Sequence, residues 1–372
     1  MIRSLVSVVV PTYNRAYCLA RTLDSILCQT HSDFEIILVD DGSTDDTRAM
    51  VRSRYGQDAR IKYDYQENCG VSAARNRGFQ LAQGNYVALL DSDDTWEPWK
   101  LQLQLACLRH CPEIGMVWTD MEAIGPDGNV LNRKYLRSMY GAYRWFGSRE
   151  LFSRFYPLTC VAPDLTSVVG NGSLSTGGIF SQMVMGNLVH TSTVLLRRER
   201  LLEVRGFNEE LEPIGEDYDF HLRTCREGPV GFVDLATIRY QTGMPDRLTR
   251  SAHNLPTAKN ALRTILPALE HDRSRIRLPP EMIRARLAEL HGWIGDASLE
   301  LGLASNARRH FLASLRHEPL QPRTLRLLAL SVLPFGLGPM ARKLYRHVKS
   351  RFRRAASQLA PESLVKTSPL GN

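Results

Sequence analysis

Hydrophobic and polar positions fall into alternating blocks over the first 125 residues. Leu5 to Val10 is an unbroken, Val-rich run, the pattern of a strand buried on both faces of a parallel sheet. Pro11 is expected to stop it and Asn14 to cap the next helix, where Leu19, Leu23, Ile26 and Leu27 recur at helical spacing. Phe34 to Val39 predicts a second strand ending in Asp40-Asp41-Gly42-Ser43, after which Asp45 or Thr44 caps a short helix. Ile61 to Tyr65 reads as a third strand, Val71 to Ala82 as a helix closed by Gly84, and Tyr86 to Leu90 as a fourth strand. A helix from about Pro98 to His110 and a strand near Met116-Val117-Trp118 follow. Strand–helix alternation with short links predicts an α/β fold: an open, mostly parallel sheet flanked by helices, with ligands gathering outside the carboxyl ends of the strands.

The pattern then loosens. Tyr140, Tyr143, Trp145, Phe146, Phe152, Phe155 and Tyr156 crowd one stretch, and Gly170-Asn171-Gly172-Ser173 follows. Two readings of residues 126–186 stay open: an acceptor-binding flap, or a helical insertion packing its aromatics inward. After Leu255-Pro256 the spacing is helical. Residues 281–290 and 293–303 read as an antiparallel helix pair, and 304–315 resembles part of a single tetratricopeptide-like helix, which is not an array. The expected division is a catalytic domain at 1–254, with halves at about 1–125 and 126–254, and a basic helical region at 255–372.

Charge sharpens this division. Residues 255–372 hold 20 Lys+Arg against 8 Asp+Glu, a balance of +12, whereas residues 1–254 hold 27 against 31, or −4. Residues 341–354 place Leu344, Tyr345, Val348 and Phe352 among basic side chains, a candidate for peripheral contact with an anionic membrane. A solvated terminal helix or tail is the other reading. No stretch reaches the roughly 18 apolar residues of a membrane span; Leu327 to Met340 is broken by Pro334 and glycines. The first ten residues read as a strand, not a signal peptide. Seven scattered cysteines form no zinc or disulfide framework and fit a cytoplasmic setting.

Three strand ends carry polar loops, at 11–14, 40–43 and 91–94. Asp91-Ser92-Asp93-Asp94 puts three carboxylates within four positions. Such a cluster beyond a parallel strand can grip a divalent cation, although Asp94 could equally cap the following helix. Neither a Gly-x-Gly-x-x-Gly fingerprint nor a Gly-x4-Gly-Lys phosphate loop is present.

Val9-Val10-Pro11-Thr12-Tyr13-Asn14-Arg15, Val39-Asp40-Asp41-Gly42-Ser43-Thr44-Asp45, Gly70-Val71-Ser72-Ala73-Ala74-Arg75-Asn76-Arg77-Gly78 and Leu90-Asp91-Ser92-Asp93-Asp94 resemble the successive motifs of family 2 glycosyltransferases. The likeness resumes at Gly186-Asn187 and runs through Val204-Arg205-Gly206-Phe207 and Gly215-Glu216-Asp217-Tyr218 to about Tyr240. It implies a GT-A fold and metal-dependent, inverting transfer of one sugar from a nucleoside-diphosphate sugar, foremost a UDP-sugar. The implied acceptor is a glycan or lipid-linked hydroxyl in surface-polysaccharide or glycolipid synthesis.

By the same resemblance Pro11, Thr12, Tyr13 and Asp40 line the nucleoside pocket with Arg75 close by, and Asp91 and Ser92 lie near the ribose. Asp93 is the main ligand of Mg2+ or Mn2+, with Asp91 and Asp94 assisting. Asp217 is the general base, although Glu216-Asp217 could also be ordinary helix-start carboxylates. The pattern departs from the family at Arg205, where a second glycine is common, and at Gln241, where arginine is usual. Arg144-Trp145 precedes the base, with Gly141 in the place of a glutamine, so the motif of processive members is absent. A metal-ligand role for His253 is less favoured than none. Two rival functions were weighed. A nucleotidyltransferase needs a Gly-rich basic loop after the first strand, which is missing. A nucleic-acid-binding scaffold needs interleaved aromatic and basic residues, also missing, so no nucleic-acid partner is expected.

Overall fold

The computed structural model describes residues 4–211, 214–243 and 254–332. The chain divides into two compact units, Met1–Arg286 and Leu287–Asn372.

The first unit is built on one sheet. Its strands are β1 (Val6–Thr12), β2 (Phe34–Asp41), β3 (Ile61–Gln66), β4 (Tyr86–Leu89), β5 (Thr95–Trp96), β6 (Met116–Ile124), β7 (Val130–Asn132), β8 (Arg154–Pro157), β9 (Ser173–Gly177), β10 (Leu195–Arg197) and β11 (Val230–Gln241). The order is β3-β2-β1-β4-β10-β6-β11-β9-β8, with β7 on β6 and β5 on β11. β3, β2, β1 and β4 run parallel, so their carboxyl ends share one edge. β10 enters antiparallel between β4 and β6. Every residue of β1 and β2 is buried, which explains their continuous apolar runs.

Helices α1 (Leu19–Leu27), α2 (Thr47–Tyr55), α3 (Val71–Leu81) and α4 (Lys100–His110) alternate with these strands. α3 lies flush on β1: a Cβ at Gly78 would come 2.3 Å from Val9 Cγ1.

Several local expectations are corrected. β1 runs past Pro11 to Thr12. Asn14 does not cap α1, which starts five residues after it; it takes φ +53°. Its Oδ1 accepts the Thr44 and Asp45 N–H groups, tying the loops after β1 and β2 together. Asp94 caps no helix, because β5 follows it and α4 begins only at Lys100.

In the 126–186 stretch Tyr143, Phe146 and Phe152 are buried. Phe152 stacks on Phe232 at 6.0 Å and tilts against Trp118. These three aromatics are therefore core residues, while Tyr140, Trp145 and Tyr156 are half-buried and Phe155 stays exposed.

The helix Asn254–His271 continues the first unit and is pinned near Gly215 by Asn260 Nδ2, which donates to Ile214 O at 2.8 Å. The compact unit thus extends past the composition change at 255. The expected pair 281–290 and 293–303 is one helix, Pro280–Glu300. Gly292 and Gly295 do not break it. Gly295 instead lets a neighbour approach closely, since a Cβ there would meet the Phe311 ring at 2.5 Å.

In the second unit the helix Ala304–His317 packs on Pro322–Ser331 around Leu299, Ala307, Phe311 and Leu327. His291 Nδ1 lies 3.0 Å from His310 Nδ1, and His317 stacks on His291. Among the described residues no helix is long and apolar enough to cross a membrane. His253 and the basic segment 341–354 lie outside the described residues.

Candidate active site

The carboxyl edge of β1, β2 and β3 forms one flank. Parallel register sets Thr12 against Asp40 and Asp40 against Tyr65. Asp40 is fully buried; its Oδ1 accepts Ser43 N–H at 2.8 Å and its Oδ2 accepts the Tyr63 hydroxyl at 2.5 Å. Burial and that carboxylate together push the Tyr63 phenol well up. Asp41 has a separate task that the sequence did not single out. Its two oxygens accept from Gln66, Cys69 and Gly70, shaping the turn that starts α3. Tyr13 and Tyr65 are about half exposed here, and the Thr12 hydroxyl is buried with no hydrogen-bond partner.

The loop after β4 is clamped from two sides. Thr22 donates its hydroxyl toward the Ser92 and Asp94 carbonyls. Ser192 Oγ accepts Asp91 N–H at 3.1 Å and donates to Asp94 Oδ2 at 2.8 Å. Asp91, Asp94 and His190 present ligand atoms all within 4.8 Å of one another. His190 Nε2 lies 3.5 Å from Asp94 Oδ2. Both His190 Nε2 and Asp94 Oδ1 are buried without a hydrogen-bond partner. Orphaned buried atoms of this kind cost about 1–3 kcal/mol each unless something completes them. A carboxylate–carboxylate–imidazole set suits Mg2+ or Mn2+, so the residues present fit a divalent cation. Burial pushes the His190 imidazolium down, but the neighbouring carboxylates, Asp94 first and then Asp91 and Asp217, outweigh it and raise the group overall.

This cluster takes in two of the three expected carboxylates. Asp93 lies outside it, with its charge felt by Cys18 and Tyr17.

The third component is the start of the helix Glu216–Arg226. Arg75, 4% exposed, joins it to the β4 loop: Nη1 donates to Glu216 Oε1 at 2.6 Å and Nη2 to Asp91 Oδ1 at 2.8 Å. Its guanidinium also lies 4.9 Å over the Phe207 ring. Both ends of Arg75 are thus spent on carboxylates, making it a strut between two motifs. Burial raises the Asp91 carboxyl, yet Arg75 and His190 more than compensate, and it sits below the usual range.

Asp217 beside it is held by Asn187 Nδ2, which donates to Oδ2 at 3.1 Å, and by Tyr218 N–H on Oδ1. Burial first and the Glu216 charge second push Asp217 up to about 7, against the pull of Arg75 and His190. A carboxylate with that affinity for a proton is suited to general-base work at neutral pH.

The Val204-Arg205-Gly206-Phe207 turn supports this flank. Asn76 pairs with both backbone groups of Phe207, and Phe207 stacks on Phe220 at 4.2 Å. Arg205 adopts φ +58°, a conformation that favours glycine, which gives a physical reason why this position commonly holds one.

The residues missed by sequence reading come from segments distant in the chain. Asn187, His190 and Ser192 follow the irregular 126–186 stretch, and Tyr140 within it places its hydroxyl 3.1 Å from His190 Nδ1. Gly186-Asn187 within the motif order was the only signal.

A parallel half-sheet ending in carboxylates, faced by an acidic helix start, is the architecture of a GT-A fold. Residues 7–166 match the sequence model described as Glycosyl transferase family 2. Over 134 residues the chain is 40% identical to the putative teichuronic acid biosynthesis glycosyltransferase TuaG of Bacillus subtilis, covering 35% of this chain and 52% of that protein. Over 136 residues it is 35% identical to the chondroitin synthase of Escherichia coli, covering 37% of this chain and 20% of that one. The crystal structure of S. aureus TarS 1-349 in complex with UDP-GlcNAc shares the fold, with a TM-score of 0.54 at 19% identity, covering 94% of this chain and 92% of that one. Residues 7–166 are thus similar to the family 2 glycosyl transferases. The matches span about half and a fifth of the two curated relatives' lengths.

Proposed function

We propose that this protein transfers one sugar at a time from a nucleoside-diphosphate sugar to an acceptor hydroxyl, with inversion, in building a surface polysaccharide or glycolipid. The observation that carries this reading is the Arg75 strut, which holds the Asp91 loop and the Glu216-Asp217 helix start on either side of one guanidinium. The UDP-GlcNAc of the staphylococcal structure supports a UDP-sugar donor. The polysaccharide roles in the relatives' names support the acceptor class.

In this proposal Pro11, Thr12, Tyr13 and Asp40 receive the nucleoside. Tyr13 offers a ring face, and the unpartnered Thr12 hydroxyl and spare Asp40 lone pairs offer polar contacts. Ser92 and Asp91 lie on the ribose side. Asp91, Asp94 and His190 would hold a divalent cation, with Asp93 beside Asp94 on the same loop. When bound, that cation supplies positive charge to the departing diphosphate.

Asp217 takes the proton of the acceptor hydroxyl as its oxygen bonds to the anomeric carbon and the bond to the diphosphate breaks. Asn187 fixes the orientation of that carboxylate. Contact with an anionic membrane is proposed for residues 341–354 on sequence grounds alone.

The test is thermal stabilisation by UDP- and GDP-sugars with Mn2+, followed by acceptor screening with the stabilising donor. Asp217→Asn is expected to keep the donor-induced shift and lose transfer. Transfer at the wild-type rate by this variant would remove Asp217 from the role.

A further inference from the structure

The irregular segment reaches the site through three contacts on one loop. Tyr140 Oη meets His190 Nδ1 at 3.1 Å. Tyr143 Oη donates to Leu188 O at 2.7 Å. Ala142 packs so closely on Gly186 that a Cβ there would lie 3.1 Å from its own. The loop so grasped carries Asn187, which orients Asp217, and His190, which faces Asp94.

Tyr140 is itself anchored. It ends the short helix Leu136–Met139, whose first N–H is accepted by Asp120 Oδ1 on β6 at 3.1 Å. On the other side of His190 the Tyr240 ring meets it edge-on at 5.2 Å and 89°. The imidazole is therefore held in place, and what remains to be set is its proton.

A neutral imidazole carries one N–H and one lone pair, and the partner of one nitrogen decides the role of the other. Nδ1 faces a phenol, which can accept or donate; Nε2 faces carboxylates. We propose that Tyr140 is a positioning residue for the cation site: it accepts the Nδ1 proton of His190, so that the Nε2 lone pair is presented toward Asp94 and Asp91. This rests on the reading of Asp91, Asp94 and His190 as cation ligands. The Tyr140 proton is then free to turn toward the carboxylates around it. The 126–186 segment thereby contributes chemistry to the site through one hydroxyl, while Tyr143, Phe146 and Phe152 fill the core.

The test compares wild type with Tyr140→Phe, Tyr143→Phe and His190→Ala, each checked for folding by its thermal melt. Two readouts need no turnover. One is Mn2+ affinity, from the electron paramagnetic resonance signal of the free ion without donor. The other is the tautomer of His190 in the protein loaded with diamagnetic Mg2+, from its 15N shifts. Wild type is expected to hold His190 with the proton on Nδ1. Tyr140→Phe keeps the ring but is expected to lose that preference and weaken Mn2+ binding about 10- to 100-fold, as for other groups that orient a metal ligand. Tyr143→Phe, which removes the hydrogen bond to Leu188 and leaves the Tyr140–His190 contact intact, is expected to leave both readouts at wild-type values. Tight Mn2+ binding by Tyr140→Phe, with His190→Ala impaired, overturns the role of Tyr140 and leaves the cation site standing. Mn2+ binding by His190→Ala equal to wild type overturns the cation reading itself, and this inference with it.

Discussion

Arg75 shows how far one residue organises this protein. Its two buried ion pairs hold Asp91 and Glu216, and its Nε has no hydrogen-bond partner. Removing one member of a buried ionic network strands the rest, at about 3–5 kcal/mol. Arg75→Met is therefore expected to lower the melting temperature sharply. Arg77→Ala, which breaks the exposed pair to Asp64, is expected to leave the melting temperature close to wild type. Equal shifts in the two variants would deny Arg75 its role as a strut. For Asp217 the direction with pH follows from its raised affinity. A base must be ionised to accept a proton, so kcat/KM is expected to rise with pH through about 7 and then level. Added positive charge from a bound cation moves that limb to lower pH. Asp217→Asn is expected to lose about 10²- to 10⁴-fold in kcat. Carboxylates such as Asp40, Asp91, Asp94 and Asp217 were legible in the sequence because each stands in a short polar motif, at a strand end or a helix start. His190, Asn187 and Ser192 were not, since their partners lie tens of residues away and no local period marks them. Arg75 was expected beside the nucleoside, and only its two carboxylate partners reveal it as a strut.

At the scale of elements, alternation read β1 to β4 and α1 to α4 well because burial alone dictates their composition. It failed where a side chain or a turn served a distant partner. Asn14 binds the loop after β2, and Asp94 answers to Ser192. The glycines inside Pro280–Glu300 likewise serve close packing. The flush contact of α3 on β1 gives a direct prediction. Gly78→Ala would overlap Val9, and overpacking of this kind costs about 1–3 kcal/mol, readable as a lowered denaturant midpoint with an unchanged slope. The helical second unit should respond to acid. Burial, then the neighbouring His310, His317 and Arg309 charges, lower His291 to about 4. An unfolded chain takes up that proton near pH 6.5. The folded form resists it, so stability contributed here is full above about 6.5 and falls as pH drops toward 4. The loss is of order 1 kcal/mol after screening by water. Melts at pH 7 and 5 should show this loss in wild type and a smaller one in His291→Gln.

Across the whole molecule, the first unit brings together a donor flank from residues 11–94 and a flank from residues 187–217. The two are joined by Arg75 and by the loop that bears His190. Their order in the chain was legible from the motifs; their meeting required the sheet, because antiparallel β10 sets the segment before it beside β4. None of the site residues named above comes from the second unit. The most direct measurement is the release of nucleoside diphosphate from a UDP-sugar by chelator-treated enzyme, before and after Mn2+ is restored, in wild type and Asp94→Ala. Release should stop with the chelator and return with Mn2+ in the wild type alone. Undiminished release by chelated wild type, or by Asp94→Ala, would mean that the Asp91–Asp94–His190 cluster is not where donor activation occurs.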